Sequence, residues 1–159
     1  MNIFVPCTNV QDITLFCLRD YEYKLSILGD GEEYYNYFKE RWLDGKTLIN
    51  VEQDIAFWPG ALEALWNCPA NWCGYGYSIT GVPAHPNAWP PLGLVKFSEN
   101  FIAETKNLWN EVESKDWRDM DSGIAKWVDN TNGGVLGFHE HSPGVVNFHP
   151  ELVANIDHS

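Results

Sequence analysis

A chain of 159 residues with 45% hydrophobic and 20% charged side chains has the material for one core, and this composition excludes a disordered polymer. Its formal net charge of -12 works against non-specific nucleic-acid binding, which depends on lysine and arginine neutralising phosphates, and favours cation binding. Eight tryptophans, seven tyrosines and eight phenylalanines are a heavy aromatic load; most are expected in the core, and some in a pocket for a flat or sugar-like ligand.

Residues 2–5 read as a short buried strand stopped by Pro6, and Cys7-Thr8-Asn9 as a polar turn. Apolar residues at 10, 13, 16 and 17 predict a helix over 10–21 with Asn9 as its N-cap. Residues 23–28 form a second strand, ended by the turn Gly29-Asp30-Gly31. A helix follows over 32–43, with acids in its first turn, closed by Asp44-Gly45. Residues 47–51 are a third strand, leading into Glu52-Gln53-Asp54, and Pro59 opens a helix to about residue 66. Strand and helix alternate three times. That alternation predicts an α/β fold: a single domain over 1–159 whose mostly parallel sheet is flanked by helices. In such sheets ligands bind beyond the carboxyl ends of the strands, where Thr8-Asn9, Asp30, and Glu52 with Asp54 fall.

The second half is less regular. Residues 72–79 alternate as a strand, and 80–91 hold four prolines and read as a loop. Residues 92–97 form a strand, after which Ser98 starts a helix that continues through Leu108, Trp109 and Val112. Residues 119–128 form another helix, ended by Asn130-Thr131-Asn132-Gly133-Gly134. The segment 135–150 fits no single element.

Cys7, Cys17, Cys68 and Cys73 include no Cys-x-x-Cys pair, so a ribbon-type zinc site is not signalled. Free thiols in a reducing cytoplasm are expected. The opening MNIFVPCTNV lacks the basic and apolar regions of a secretory signal, and no apolar run approaches the ~20 residues of a membrane span.

Several residues carry chemistry. Glu52 and Asp54 form an acid-x-acid pair, the donor set that holds Mg²⁺ or Mn²⁺ against a diphosphate. On an extended chain both point to one side. Acids are equally ordinary in a solvated turn. His139, Glu140, His141 and His149 fall within eleven residues, and neutral imidazoles ligate metals or simply accept hydrogen bonds. Asp119 and Asp121 open a helix, where a carboxylate serves either as a general base or as a helix-terminal acid. Asp30 either meets a nucleotide or completes a Gly-Asp-Gly turn. No Gly-x-Gly-x-x-Gly follows a strand, and neither a Walker A loop nor a Gly-x-Ser-x-Gly elbow occurs.

In the order of these features the chain resembles a small glycosyltransferase of the GT-A type, a Rossmann-related fold. VPCTN resembles the first strand end that holds the nucleotide, which implies Pro6, Thr8 and Asn9. LGD resembles the second, where an aspartate, here Asp30, contacts the base. LINVEQDIAF resembles the acid-x-acid stretch that carries metal and diphosphate, although the usual motif is Asp-x-Asp; Asp54 is then the firmer ligand and Glu52 the weaker. WRDMD resembles the region supplying the base, Asp121 first and Asp119 second. HEHSPGVVNFH resembles the C-terminal segment that gives the metal a histidine, which implies His139, His141 or His149. The resemblance implies a nucleotide-binding half over 1–70 and an acceptor and metal half over 71–159. It also implies a Mn²⁺ or Mg²⁺ cofactor, a nucleoside-diphosphate sugar (a UDP-sugar first) as donor, a hydroxyl-bearing acceptor, and inversion at the anomeric carbon. Modified DNA as acceptor is disfavoured by the net charge. Two other classes stay open: a His-cluster metalloprotein, hydrolase or oxygenase, built on the histidines, and a non-catalytic binding protein.

Overall fold

The computed structural model describes residues 1–29, 31–79, 92–112, 115–116, 119–132 and 137–148, with the backbone alone at 77–79, 121, 131 and 132. One sheet holds β1 (Ile3–Cys7), β2 (Lys24–Ile27), β3 (Leu48–Val51), β4 (Ile55–Ala56), β5 (Trp72–Ile79), β6 (Leu94–Phe97) and β7 (His139–Asn147), in the order β2-β1-β3-β6-β5-β7-β4. β1 runs parallel to β2 and β3, and β5 parallel to β7. β6 runs against both β3 and β5, and β4 against β7. The fold is α/β, with a mixed sheet whose parallel front half comes from the alternating elements at the start of the chain.

Helices cover both faces of the sheet. On one face α2 (Gly31–Asp44), α4 (Glu99–Glu104), α5 (Leu108–Glu111) and α6 (Met120–Asn132) bury Tyr35, Phe38, Trp42, Phe101, Trp109, Met120, Ile124 and Val128 against Phe4, Leu48, Trp72, Val95 and Phe97. On the other, α1 (Asp12–Leu18) and α3 (Ala61–Asn67) bury Leu18, Leu62 and Leu65 against Ile3, Val5, Ile49, Val51, Tyr75 and Leu94. Successive strand residues feed opposite faces, as the pleat requires. Strands covered on both faces read as unbroken apolar runs, which is why β1, β3 and β6 are buried throughout. The edge strand β2 leaves Leu25 and Ile27 exposed.

Three local expectations change. β1 runs through Pro6 to Cys7. Cys7 C=O accepts from Leu28 N–H on the β2 side, while pairing with β3 ends at Phe4 opposite Asn50. Neighbouring residues face alternate sides, so the missing N–H of Pro6 faces away from β2 and removes no bond there. The first helix is shorter than 10–21, and its N-cap is Gln11. Asn9 N–H is engaged by Gln53 Oε1 instead, and the buried residues of the helix are Thr14 and Leu18, leaving Phe16 61% exposed. The long helix from Ser98 breaks in two. Ser98 does cap α4 by accepting from Phe101 N–H at 3.1 Å. Thr105 Oγ1 then donates to Phe101 C=O and accepts from Trp42 Nε1, and the chain turns there before restarting at Leu108. No described helix is long and apolar enough to cross a membrane.

Candidate functional site

The carboxyl ends of β1 and β3 are fastened together by one side chain. Gln53 Oε1 accepts from Thr8 N–H at 2.7 Å, Thr8 Oγ1 at 3.1 Å and Asn9 N–H at 3.1 Å. Its backbone carbonyl accepts from Gln11 N–H at 2.8 Å and Thr14 Oγ1 at 2.9 Å. The turn after β1 and the start of α1 are therefore held against the acid-x-acid stretch.

That stretch is a turn, not an extended segment: Ile55 N–H reaches back to Glu52 C=O at 3.4 Å. The argument that an extended chain aims both acids to one side does not apply. Each carboxylate meets a different element. Glu52 Oε1 accepts from Tyr34 O–H of α2 at 2.8 Å. Burial, then the Glu52 charge and hydrogen bond, hold the Tyr34 phenol well above its usual range, so it remains a donor. Asp54, only 6% exposed, accepts from Asn147 Nδ2 of β7 at 3.2 Å, and its backbone carbonyl accepts from Phe148 N–H at 2.8 Å. Asn147 Oδ1 is buried without a hydrogen-bond partner among the described residues. A carboxylate beside an orphaned amide oxygen is a donor set that fits a hard divalent cation.

Asp119 is exposed, its N–H donating to Asp116 C=O at 3.0 Å. Lys115 Nζ lies 3.3 Å from Glu32 Oε1, which ties the segment before α6 to the first turn of α2, two residues from Tyr34. Asp121 lies in the first turn of α6. Pro6 is buried within β1; Thr8 and Asn9 are exposed just beyond it. Asp30 and His149 lie outside the described residues.

His139 and His141 are not brought to Asp54. They pair in register with Cys73 and Tyr75 of β5, whereas Asn147 pairs with Ile79, four β5 residues further on, or about 13 Å along the strand. Their neighbours are thiols. Cys68 Sγ is 3.2 Å from His139 Nδ1, and Cys68, Cys73 and His141 place their ligand atoms within 4.8 Å of one another. Burial, then His139 and Lys96 nearby, hold the His141 imidazole below its ordinary value. Burial pushes the Cys73 thiol up to about 12. Lys96 is buried in β6 and donates to Cys68 C=O at 2.5 Å. Sequence pattern pointed to the two histidines but not to the thiols, because no Cys-x-x-Cys spacing links Cys68 with Cys73 and nothing local places either beside β7.

Among solved structures, the chain is similar to the crystal structure of a glycosyltransferase involved in the glycosylation of the major capsid of PBCV-1. The TM-score is 0.56 at 9% identity, over 99% of this chain and 98% of that one. The fold is glycosyltransferase-like. A second likeness, to A197 from STIV, has a TM-score of 0.40 at 12% identity, over 77% of this chain and 78% of that one. No protein-family profile and no curated protein matches the sequence. In the glycosyltransferase-like fold of this chain, the Gln53 junction and both carboxylates lie where parallel strands end, the place where open α/β sheets take ligands.

Proposed function

We propose that this chain is a metal-dependent glycosyltransferase of the GT-A kind, moving a sugar from a nucleoside diphosphate to a hydroxyl acceptor. The observation that supports this reading best is the Gln53 junction, which unites the Thr8-Asn9 turn with Glu52 and Asp54. The glycosyltransferase-like fold supports it independently.

In this reading Pro6, Thr8, Asn9 and Asp30 form the nucleotide pocket, with a UDP-sugar as the first donor to try. Asp54, with Glu52 and His149, holds Mn²⁺ or Mg²⁺. When bound, such a cation would supply charge neutralisation for a leaving diphosphate. Asp121, or failing it Asp119, takes the proton from the acceptor hydroxyl. A base on the face opposite the leaving group gives inversion. The Tyr34–Glu52 and Asn147–Asp54 hydrogen bonds fix the two carboxylates before the donor arrives, so little ordering is left to do on binding.

Thermal denaturation with UDP, GDP, CDP, ADP and TDP sugars, each with and without Mn²⁺, tests the reading. A ligand at 100 times its Kd stabilises the folded state by about 2.7 kcal/mol. One nucleotide should stabilise the protein only with metal, and Asp54→Asn should abolish the effect. A folded protein that responds to none of the five ends this proposal.

A further inference from the structure

We propose a second metal site, for a thiophilic cation of the zinc type, formed by Cys68, Cys73 and His141 with His139 as fourth donor. It is independent of the donor site. Cys73 pairs with Lys96, Lys96 pairs with Ile49, and Ile49 stands three residues before Glu52, about 10 Å along the strand.

Three observations carry it. The first is geometry. The sulfurs of Cys68 and Cys73 and a ring nitrogen of His141 lie within 4.8 Å of one another, and His139 Nδ1 is 3.2 Å from Cys68 Sγ. Tetrahedral zinc with bonds of about 2.3 Å to sulfur and about 2.0 Å to nitrogen needs its ligands roughly 3.3–3.8 Å apart. A contraction of about 1 Å closes the set of Cys68, Cys73 and His141, within reach of side-chain rotation, and His139 approaches it from the Cys68 side.

The second is an orphaned atom. His141 Nε2 is buried and has no hydrogen-bond partner among the described residues. A buried polar nitrogen without a partner is costly, and a metal bond removes that cost. The ring is packed against Tyr75 at 5.1 Å, so it does not swing freely to water.

The third is the buried lysine. Lys96 is 3% exposed and takes part in no ion pair among the described residues. It donates to the carbonyl of Cys68, the residue that also supplies a sulfur. Metal binding converts the thiols to thiolates, and thiolate charge beside an ammonium offsets a burial that neutral thiols leave uncompensated. An ammonium held there is the kind of outer contact that orients ligands.

Two thiolates and two imidazoles suit zinc and disfavour magnesium or manganese, which take oxygen ligands. The donors come from the C-cap of α3, the second residue of β5 and the start of β7. A metal here staples the start of β7 to the neighbouring elements α3 and β5, which come much earlier in the chain, so it stabilises the fold and performs no sugar chemistry.

The test is cobalt(II) titration of protein freed of metal by chelation and kept reduced with a phosphine, followed by zinc. The expected result is one cobalt per chain, with the thiolate charge-transfer band and intense ligand-field bands of tetrahedral cobalt. Zinc displaces it and Mn²⁺ does not. Cys68→Ala and His141→Ala should each lower zinc affinity on the order of 100-fold or more while circular dichroism stays unchanged. Asp54→Asn should bind zinc as the parent does, which separates this site from the donor site. Folded parent protein that takes up no cobalt, or takes it up without a thiolate band, overturns the proposal. That spectrum decides the matter even if a variant misfolds.

Discussion

Gln53 is the residue whose role the sequence conceals most completely. It stands as the variable letter between two acids, and nothing in its type marks it as the acceptor for three donors in the turn beyond another strand. Glu52 and Asp54 were legible because acids at a strand end are costly without a positive partner; a neutral amide announces nothing. Replacing Gln53 by Leu removes the acceptor and keeps the bulk. Urea denaturation should show a loss of about 1–2 kcal/mol, moderate because the junction is exposed to water. Gln53→Glu keeps an acceptor and should recover most of it. A second prediction concerns pH. Burial raises the phenols of Tyr34, with Glu52 adding to it, and of Tyr37 above the ordinary 10.0. Above that pH the unfolded chain releases protons that the folded chain retains, so stability is intact below pH 10 and falls as pH rises. The urea midpoint should drop as pH rises from about 10 to about 11, and Tyr37→Phe should flatten the drop. A midpoint that holds steady over this range contradicts the burial argument.

At the scale of elements, legibility followed patterning. β1, β3 and β6 were readable from their apolar runs, β5 from its alternation, and α2 from the acids in its first turn and the Asp44-Gly45 stop. β7 was not. Its first six residues are mostly exposed and include Ser142, Pro143 and Gly144, so no alternation marks it, and a parallel neighbour holds it. β4 has two residues, too few for any period. The break between α4 and α5 depends on Trp42 reaching Thr105, a contact 63 residues apart that no local rule supplies. β5 tolerates little change where it meets its neighbours. A Cβ on Gly74 would lie 2.8 Å from Leu94 O and 3.2 Å from Phe138 Cζ. Gly74→Ala should therefore cost about 1–3 kcal/mol, read as a lowered Tm, because a backbone oxygen cannot rotate away. The same change at Gly45, which meets nothing within 4 Å, tests a different cost: its φ of 66° makes any loss there conformational.

At the scale of the molecule, the α/β class was readable because three strand–helix alternations at the start settle the sheet's parallel half. The reversal of β6 was not, since direction within a sheet leaves no trace in a four-residue apolar run. The surroundings of His139 and His141 were also hidden at this scale: the sheet carries His139 to Cys68 at the end of α3, a contact 71 residues apart. The edge strand β2 is open to other chains and presents Ile27 at 77% exposure. Ile27→Lys should leave Tm nearly unchanged and raise the concentration at which light scattering reports association. An unaltered onset would show that this edge is not what associates.

β4 follows the acidic turn directly, yet its described pairing is with β7 alone, from the far end of the chain. Assembly therefore cannot proceed in the order of synthesis. Until a ribosome has added the residues up to 148, the acids at 52 and 54 exist without Asn147 and the backbone N–H of Phe148 that steady Asp54. A nascent chain released before β7 emerges would carry both carboxylates and lack the anchor for one of them.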